Sequence, residues 1–175
     1  MPATLEFGGT QLTIRFDILN TSTIRQVKQA IQSLYGVPVA RQTILWAPGG
    51  PLADDRTLES YNVGPDQMVL MDLVVEPNTT VPITVALEAP QYPQWGDAVQ
   101  CMETATVGQL KRMVADRLGW RTTGGMMLHH GPAMAAMDDE DRLISEYLVL
   151  DGSVVFVRFL NAKVPPTQPN LAARF

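Results

Sequence analysis

One internal repeat constrains this chain more than any other feature. Thr23 and Thr106, Val27 and Leu110, Lys28 and Lys111, Ile31 and Val114, and Gly36 and Gly119 form pairs that are each 83 residues apart. Farther along, Tyr61 and Tyr147, Val69 and Val155, and Leu73 and Phe159 are each 86 apart, which places three extra residues in the second copy's intervening loop. Repetition at domain length implies two copies of one small fold. The 175 residues, 46% of them hydrophobic, are enough for two small cores.

The first copy is the easier to read. "TLEF" and "QLTIRFDI" flank Gly8-Gly9-Thr10, and Leu12, Ile14, Phe16 and Ile18 alternate with polar neighbours, so the pair is predicted to be a hairpin of half-buried strands. Thr23 offers a hydroxyl to the start of a helix, and Gln26, three residues on, can reach back to complete a capping box. Ile24, Val27, Ile31 and Leu34 then fall on one helical face. Gly36 suits a left-handed cap, and Pro38 keeps the helix from resuming. "QTILWA" is predicted as a strand, "PGGPLADDRTLESYNV" as turns with a short helical turn, and "QMVLMDLVV" as a last strand.

The order is ββαββ, and Thr106 with Gln109 rebuilds the capping box in the second copy. The fold class is therefore α+β, with one domain over 1–76 and another over 83–160. Between them "EPNTTVP" contains two prolines, and 77–82 is expected to be a short, fairly stiff linker. Residues 161–175, with three prolines and no periodicity, are expected to be an extended tail.

Charge removes several function classes. The formal net charge is −5; counted along the sequence it is −3 over 1–76 and −4 over 81–160, with +2 in the tail. Neither domain offers the basic face that a phosphate backbone needs, so no nucleic-acid partner is expected. The single Cys101 allows no internal disulfide, the N-terminus lacks the layout of a signal peptide, and no apolar run reaches bilayer length. These features predict a cytoplasmic protein without a membrane partner.

Catalysis is not expected either. His129 and His130 are adjacent in a predicted strand and point to opposite faces, so they cannot share a metal. Cys101, on a predicted inner strand, reads as a small buried hydrophobe. Asp138-Asp139-Glu140-Asp141 lacks the spaced oxygens and glycine of a calcium loop and reads as a solvated turn. No phosphate-cradling glycine loop or nucleophile elbow is present. No catalytic residue, metal, cofactor or small-molecule substrate is assigned. Most of the methionines crowding the second copy (Met102, Met113, Met126, Met127, Met134, Met137) are assigned to its core.

"TIRQVKQAIQSLYGVP", "ILWAPGGPLADDRTLESYNV" and "VLMDLVV" together resemble ubiquitin, through the helix, its Gly-Val-Pro end, the Leu-x-Asp-x-Arg-Thr-Leu turn and the following Tyr-Asn-Val. The second copy, with "TVGQLKRMVADRLGW", "RLISEYLV" and "VVFVRF", is similar and more diverged. The resemblance implies two tandem ubiquitin-like β-grasp domains. Conjugated members of the family end in Arg-Gly-Gly, whereas this sequence ends "LAARF", and Gly49-Gly50 and Gly124-Gly125 fall in predicted loops. Of the three lysines, only Lys28 and Lys111 match a family lysine. Neither conjugation nor chain building is expected.

The resemblance also implies a recognition face on the strands after the helix. In the first copy Leu45 and Leu70 match its members and Asp72 replaces an aliphatic residue; in the second, Leu128 and Phe156 match and Arg158 stands at the place of Asp72. Each face gains one charge, of opposite sign, which disfavours ordinary ubiquitin receptors and favours a private partner. Trp46, beside Leu45, and Trp95, in the hairpin loop "PQYPQWGD", read equally as interface anchors, since exposed Trp is enriched at interfaces, and as caps on their own cores; Trp120 falls near a second family contact surface.

The expected role is a non-catalytic interaction or structural component whose protein partners belong to a multi-subunit assembly, cytoskeletal or ciliary ones included. The alternatives are a ubiquitin-like modifier and an adaptor for the proteasome or a ubiquitin-handling enzyme.

Overall fold

A computed structural model describes residues 1–47 and 49–160, so the expected tail, 161–175, lies outside the described residues. Two compact units divide the chain after Pro77.

The first unit runs β1 (Pro2–Gly8), β2 (Ile14–Leu19), α1 (Ile24–Tyr35), β3 (Gln42–Trp46), β4 (Gly50–Pro51) and β5 (Met68–Val75). Its sheet has the order β2-β1-β5-β3-β4. β1 and β5 run parallel at the centre, and every other neighbour is antiparallel. The second unit repeats this with β6 (Ile83–Glu88), β7 (Gly96–Cys101), α2 (Val107–Leu118), β8 (Met126–His130), β9 (Ala135–Ala136) and β10 (Val154–Phe159), in the order β7-β6-β10-β8-β9. Both are α+β β-grasp domains. The two-residue edge strands β4 and β9 carry no periodic signal and were not legible in the sequence.

Local chemistry places the helices as the sequence predicts. The side chains of Thr23 and Thr106 accept from the backbone N–H groups of Gln26 and Gln109 at 3.3 and 3.1 Å. The Gln26 and Gln109 side chains in turn accept from the threonine N–H groups at 2.8 and 2.9 Å. Two more orphan N–H groups at each helix start find loop carbonyls. Ile24 and Arg25 donate to Arg56 and Asp54, and Val107 and Gly108 donate to Arg142 and Glu140. Gly36 and Gly119 end the helices at φ 75° and 69°, a region that costs most other residues strain.

Ile24, Val27 and Ile31 are fully buried, but Leu34 is 49% exposed. The left-handed turn at Gly36 brings Val37 back over the end of the stripe, where it is fully buried, so Leu34 is not needed there.

The segment expected as a linker is fastened in part. Asn78 donates its N–H to the buried Glu103 carboxylate at 2.7 Å, and its own side-chain oxygen accepts from the N–H groups of Thr80 and Val81 at 3.0 and 3.4 Å. Residues 78–81 thus form an Asx-type turn belonging to the second unit.

Candidate protein-interaction faces

In a strand, side chains alternate between the face packed on the helix and the face turned away from it. On β5, Val69, Met71 and Leu73 face the core, which leaves Met68, Leu70, Asp72 and Val74 outward. Leu45 pairs with Asp72 on the same outer side. The result is an apolar face: Met68, Leu70 and Val74 are 62%, 65% and 44% exposed, with half-buried Leu45 beside them. Asp72 sits in the middle of it and lies over Gly8, where an added Cβ would approach its Oδ1 to 2.9 Å. Leu45, Leu70 and Asp72 are therefore brought together as the sequence implied. Trp46, the next residue after Leu45, points to the opposite side of β3 and does not join them.

The second unit presents its own face from β10 and β8. Phe156 pairs with His129, and Arg158 with Met127, all four directed outward, and Glu88 lies across from Phe156 on β6. Leu128 is on the other side, 1% exposed and paired with the equally buried Val157, so it is a core residue and not part of the face. The error traces to loop length. Ile44 pairs with Leu73 and Met126 with Phe159. The two last-strand partners are 86 residues apart, but Ile44 and Met126 are only 82 apart, against the 83 of the helices. The second copy has lost one residue between helix and strand, and a one-residue change moves every side chain to the opposite face. Met127 takes the place of Leu45. The segment from β8 to β10 accordingly carries four extra residues where the 83-residue spacing implied three.

Of the two readings of Trp95, interface anchor and core cap, the packing gives the core. It is 4% exposed, and its ring meets Phe159 edge-on at 5.8 Å. Tyr92 and Trp120 approach the same phenylalanine at 5.8 and 5.3 Å. Gln91 fixes the hub by accepting from the Phe159 N–H at 2.8 Å and donating to its carbonyl at 3.2 Å. Three aromatic rings around one phenylalanine bury the apolar area that Trp95 would otherwise expose.

Beside this hub the outer face is concave. A cavity of about 400 Å³ is lined by Pro90, Gln91, His129, Met134, Phe156 and Arg158. Sequence reasoning missed Pro90, Met134 and His129 because they come from two loops and a strand that only the fold assembles. His129 Nδ1 lies 3.1 Å from the Met134 carbonyl, and its Nε2 is buried without a hydrogen-bond partner among the described residues. With the proton on Nδ1, Nε2 is left as a buried acceptor without a partner among the described residues.

The remaining reactive groups serve structure. His130 faces the core with Nδ1 2.8 Å from the Tyr147 carbonyl, and burial pulls its pKa below the usual 6.5. Burial pushes the Cys101 thiol up, the opposite of what a nucleophile needs. Lys28 and Lys111 have their ammonium groups 2.6 and 3.0 Å from Asp54 and Glu140, tying each helix to the loop over it. In the acidic run, Asp139 accepts from the Asp141 N–H and the Arg142 guanidinium. Among the described residues no three His, Cys, Asp or Glu side chains gather as metal ligands, and no helix is long and apolar enough to cross a membrane. Met126 and Met137 are core, Met102, Met113 and Met127 half-buried, and Met134 is 40% exposed at the cavity.

Comparison with known proteins places the first unit. The ubiquitin family matches residues 4–81. Among solved structures, the ubiquitin-like domain of an Arabidopsis thaliana protein, determined in solution by NMR, is 20% identical, covering 51% of this chain and 90% of its own, with a TM-score of 0.43.

Proposed function

Since residues 4–81 form a ubiquitin-like domain, we propose that the chain is a non-catalytic protein-interaction or structural component whose two β-grasp domains dock onto a larger protein assembly in the cytoplasm. A ubiquitin-like domain supports a protein-interaction or ubiquitin-pathway role in general. The observation that carries the specific reading is the outer face of the first unit, where Met68 and Leu70 stay 62% and 65% exposed around the charge of Asp72. Contiguous exposed apolar side chains are a cost to a free protein and a gain to a bound one. The altered charge argues for a dedicated partner, because an unpaired carboxylate in an apolar contact rejects receptors that do not answer it.

Two purifications of the tagged protein from its native cells test this, one gentle and one fully denaturing, with mass spectrometry of what accompanies it. The expected result is defined partners in the gentle sample alone, lost on Leu70→Arg. A ladder of heavier species that survives denaturation would replace this reading with a covalent modifier. Recovery of proteasomal receptors in the gentle sample would assign it to the ubiquitin pathway.

A further inference from the structure

The two outer faces carry opposite charges at one equivalent position, Asp72 on the first and Arg158 on the second. On β5 an aliphatic knob, Leu70 with Met68 beside it, is followed two residues later by the acid Asp72; on β10 the aromatic Phe156, at the rim of the cavity, is followed two residues later by the base Arg158. Two residues of strand span about 7 Å, so the step from apolar group to charge is the same on both. Neither Asp72 nor Arg158 makes an ion pair with another described residue. Around the first face Glu6 lies across from Leu70, with the base Arg15 opposite it on β2, so the charge that distinguishes this face is Asp72. On the second face Glu88 lies on the β6 side of Phe156, and Arg158 and His129 lie toward β8 and the cavity.

We propose that a second copy of this chain occupies these faces. The first domain of one copy inserts Leu70 and Met68 into the cavity between Pro90, Met134 and Phe156 of the other copy's second domain, and Asp72 pairs with Arg158. The contact is heterologous, joining different patches, so each chain carries both halves of it and association closes into a ring or extends into a filament. The proposal rests on reading these faces as interaction faces, and names the partner. Exclusion of water by the apolar knob is what gives the ion pair its discrimination: two like charges in the same place would be held together without solvent to screen them.

Charge reversal in the full chain tests it. The parent protein is expected to show a weight-average mass that rises with concentration between about 1 µM and about 1 mM in sedimentation, the range in which contacts of this kind titrate. Asp72→Arg and Arg158→Asp alone each weaken association at least about tenfold, because each puts like charges across the contact. An equimolar mixture of the two variants recovers it. In the mixture the base introduced by Asp72→Arg meets the acid introduced by Arg158→Asp, and the unaltered Asp72 of one variant meets the unaltered Arg158 of the other. Both positions are exposed, and unchanged unfolding midpoints confirm intact folds. A parent that stays monomeric throughout, or single variants that associate as the parent does, or a mixture that fails to recover, overturns the proposal. In those cases, a gentle purification that still yields partners lost on Leu70→Arg leaves the docking function standing, whereas loss of both removes the two readings together.

Discussion

The two domains share a backbone plan and hold it together differently. In the first, a buried amide anchors β3: Gln42, 3% exposed, donates to the carbonyls of Lys28 and Val37, both at 2.9 Å, and so fastens the strand to the helix end. In the second, that job passes to the Phe159 hub, with Trp120 arriving from the helix-ending turn and Trp95 from the hairpin loop. The left-handed turn after the short helical segment, Glu59–Tyr61 in the first unit and Ile144–Tyr147 in the second, shows the same divergence. Asn62 adopts φ 64° with little strain, whereas Leu148 holds φ 58° and is fully buried, so packing there offsets a backbone cost of about 1 kcal/mol. The copies agree at caps, glycine stops and the lysine–acid tie, and differ in what fills the space between.

The contrast is tested most directly at Phe159. Phe159→Ala is expected to destabilise the second domain by about 3–5 kcal/mol, read by hydrogen exchange or urea unfolding, with the first domain's amides unaffected. A cost near that of a surface change would mean that the other three rings pack without it. The face assignment comes next. Leu128→Ala should cost about 2–5 kcal/mol, whereas Leu45→Ala, on the half-buried outer side, should stay below about 1 kcal/mol. Equal costs would place both residues on the same side of their sheets.

A smaller effect separates the domains by pH. Both histidines are in the second copy, and His130 is held neutral by burial. Its folded pKa lies below 6.5, so the unfolded chain takes up the proton first. The stabilisation is fully present above about pH 6.5 and is lost as pH falls from there toward the folded value. His130→Leu should remove that acid-side slope from the second domain's unfolding, and a slope that survives would assign it to another group. The smallest effects belong to the helix ties. Asp54→Asn and Glu140→Gln should each cost about 1 kcal/mol or less, with Asp54 the larger because its contact is shorter and its carboxylate less exposed, 34% against 54%. The reverse order would mean that burial of the acid does not set the strength of the tie.

Much of this was legible in the residues. Thr23, Gln26 and Gly36 and their counterparts act over one turn of chain, so their consequences follow from spacing alone. Leu70, Asp72, Phe156 and Arg158 were readable because the spacing of 86 holds through the last strand. The cavity was not, since Pro90 comes from a loop remote in sequence from His129 and Met134, and Trp95 carries no signal that distinguishes a buried indole from an exposed one.

The order of residues is enough to establish that there are two β-grasp copies, where each helix starts and stops, and that the copies carry opposite charges at one equivalent position. Those properties depend on short-range hydrogen bonding, glycine's access to positive φ and the periodicity of apolar residues. It took the packed chain to establish that Met127 and not Leu128 faces outward, that Trp95 and Trp120 converge on Phe159, and that a cavity opens beside Phe156. Strand register is fixed by pairing with residues remote in the chain, Ile44 with Leu73 and Met126 with Phe159. A single residue gained or lost in a loop reverses which face a side chain occupies, while leaving the local pattern of the strand intact.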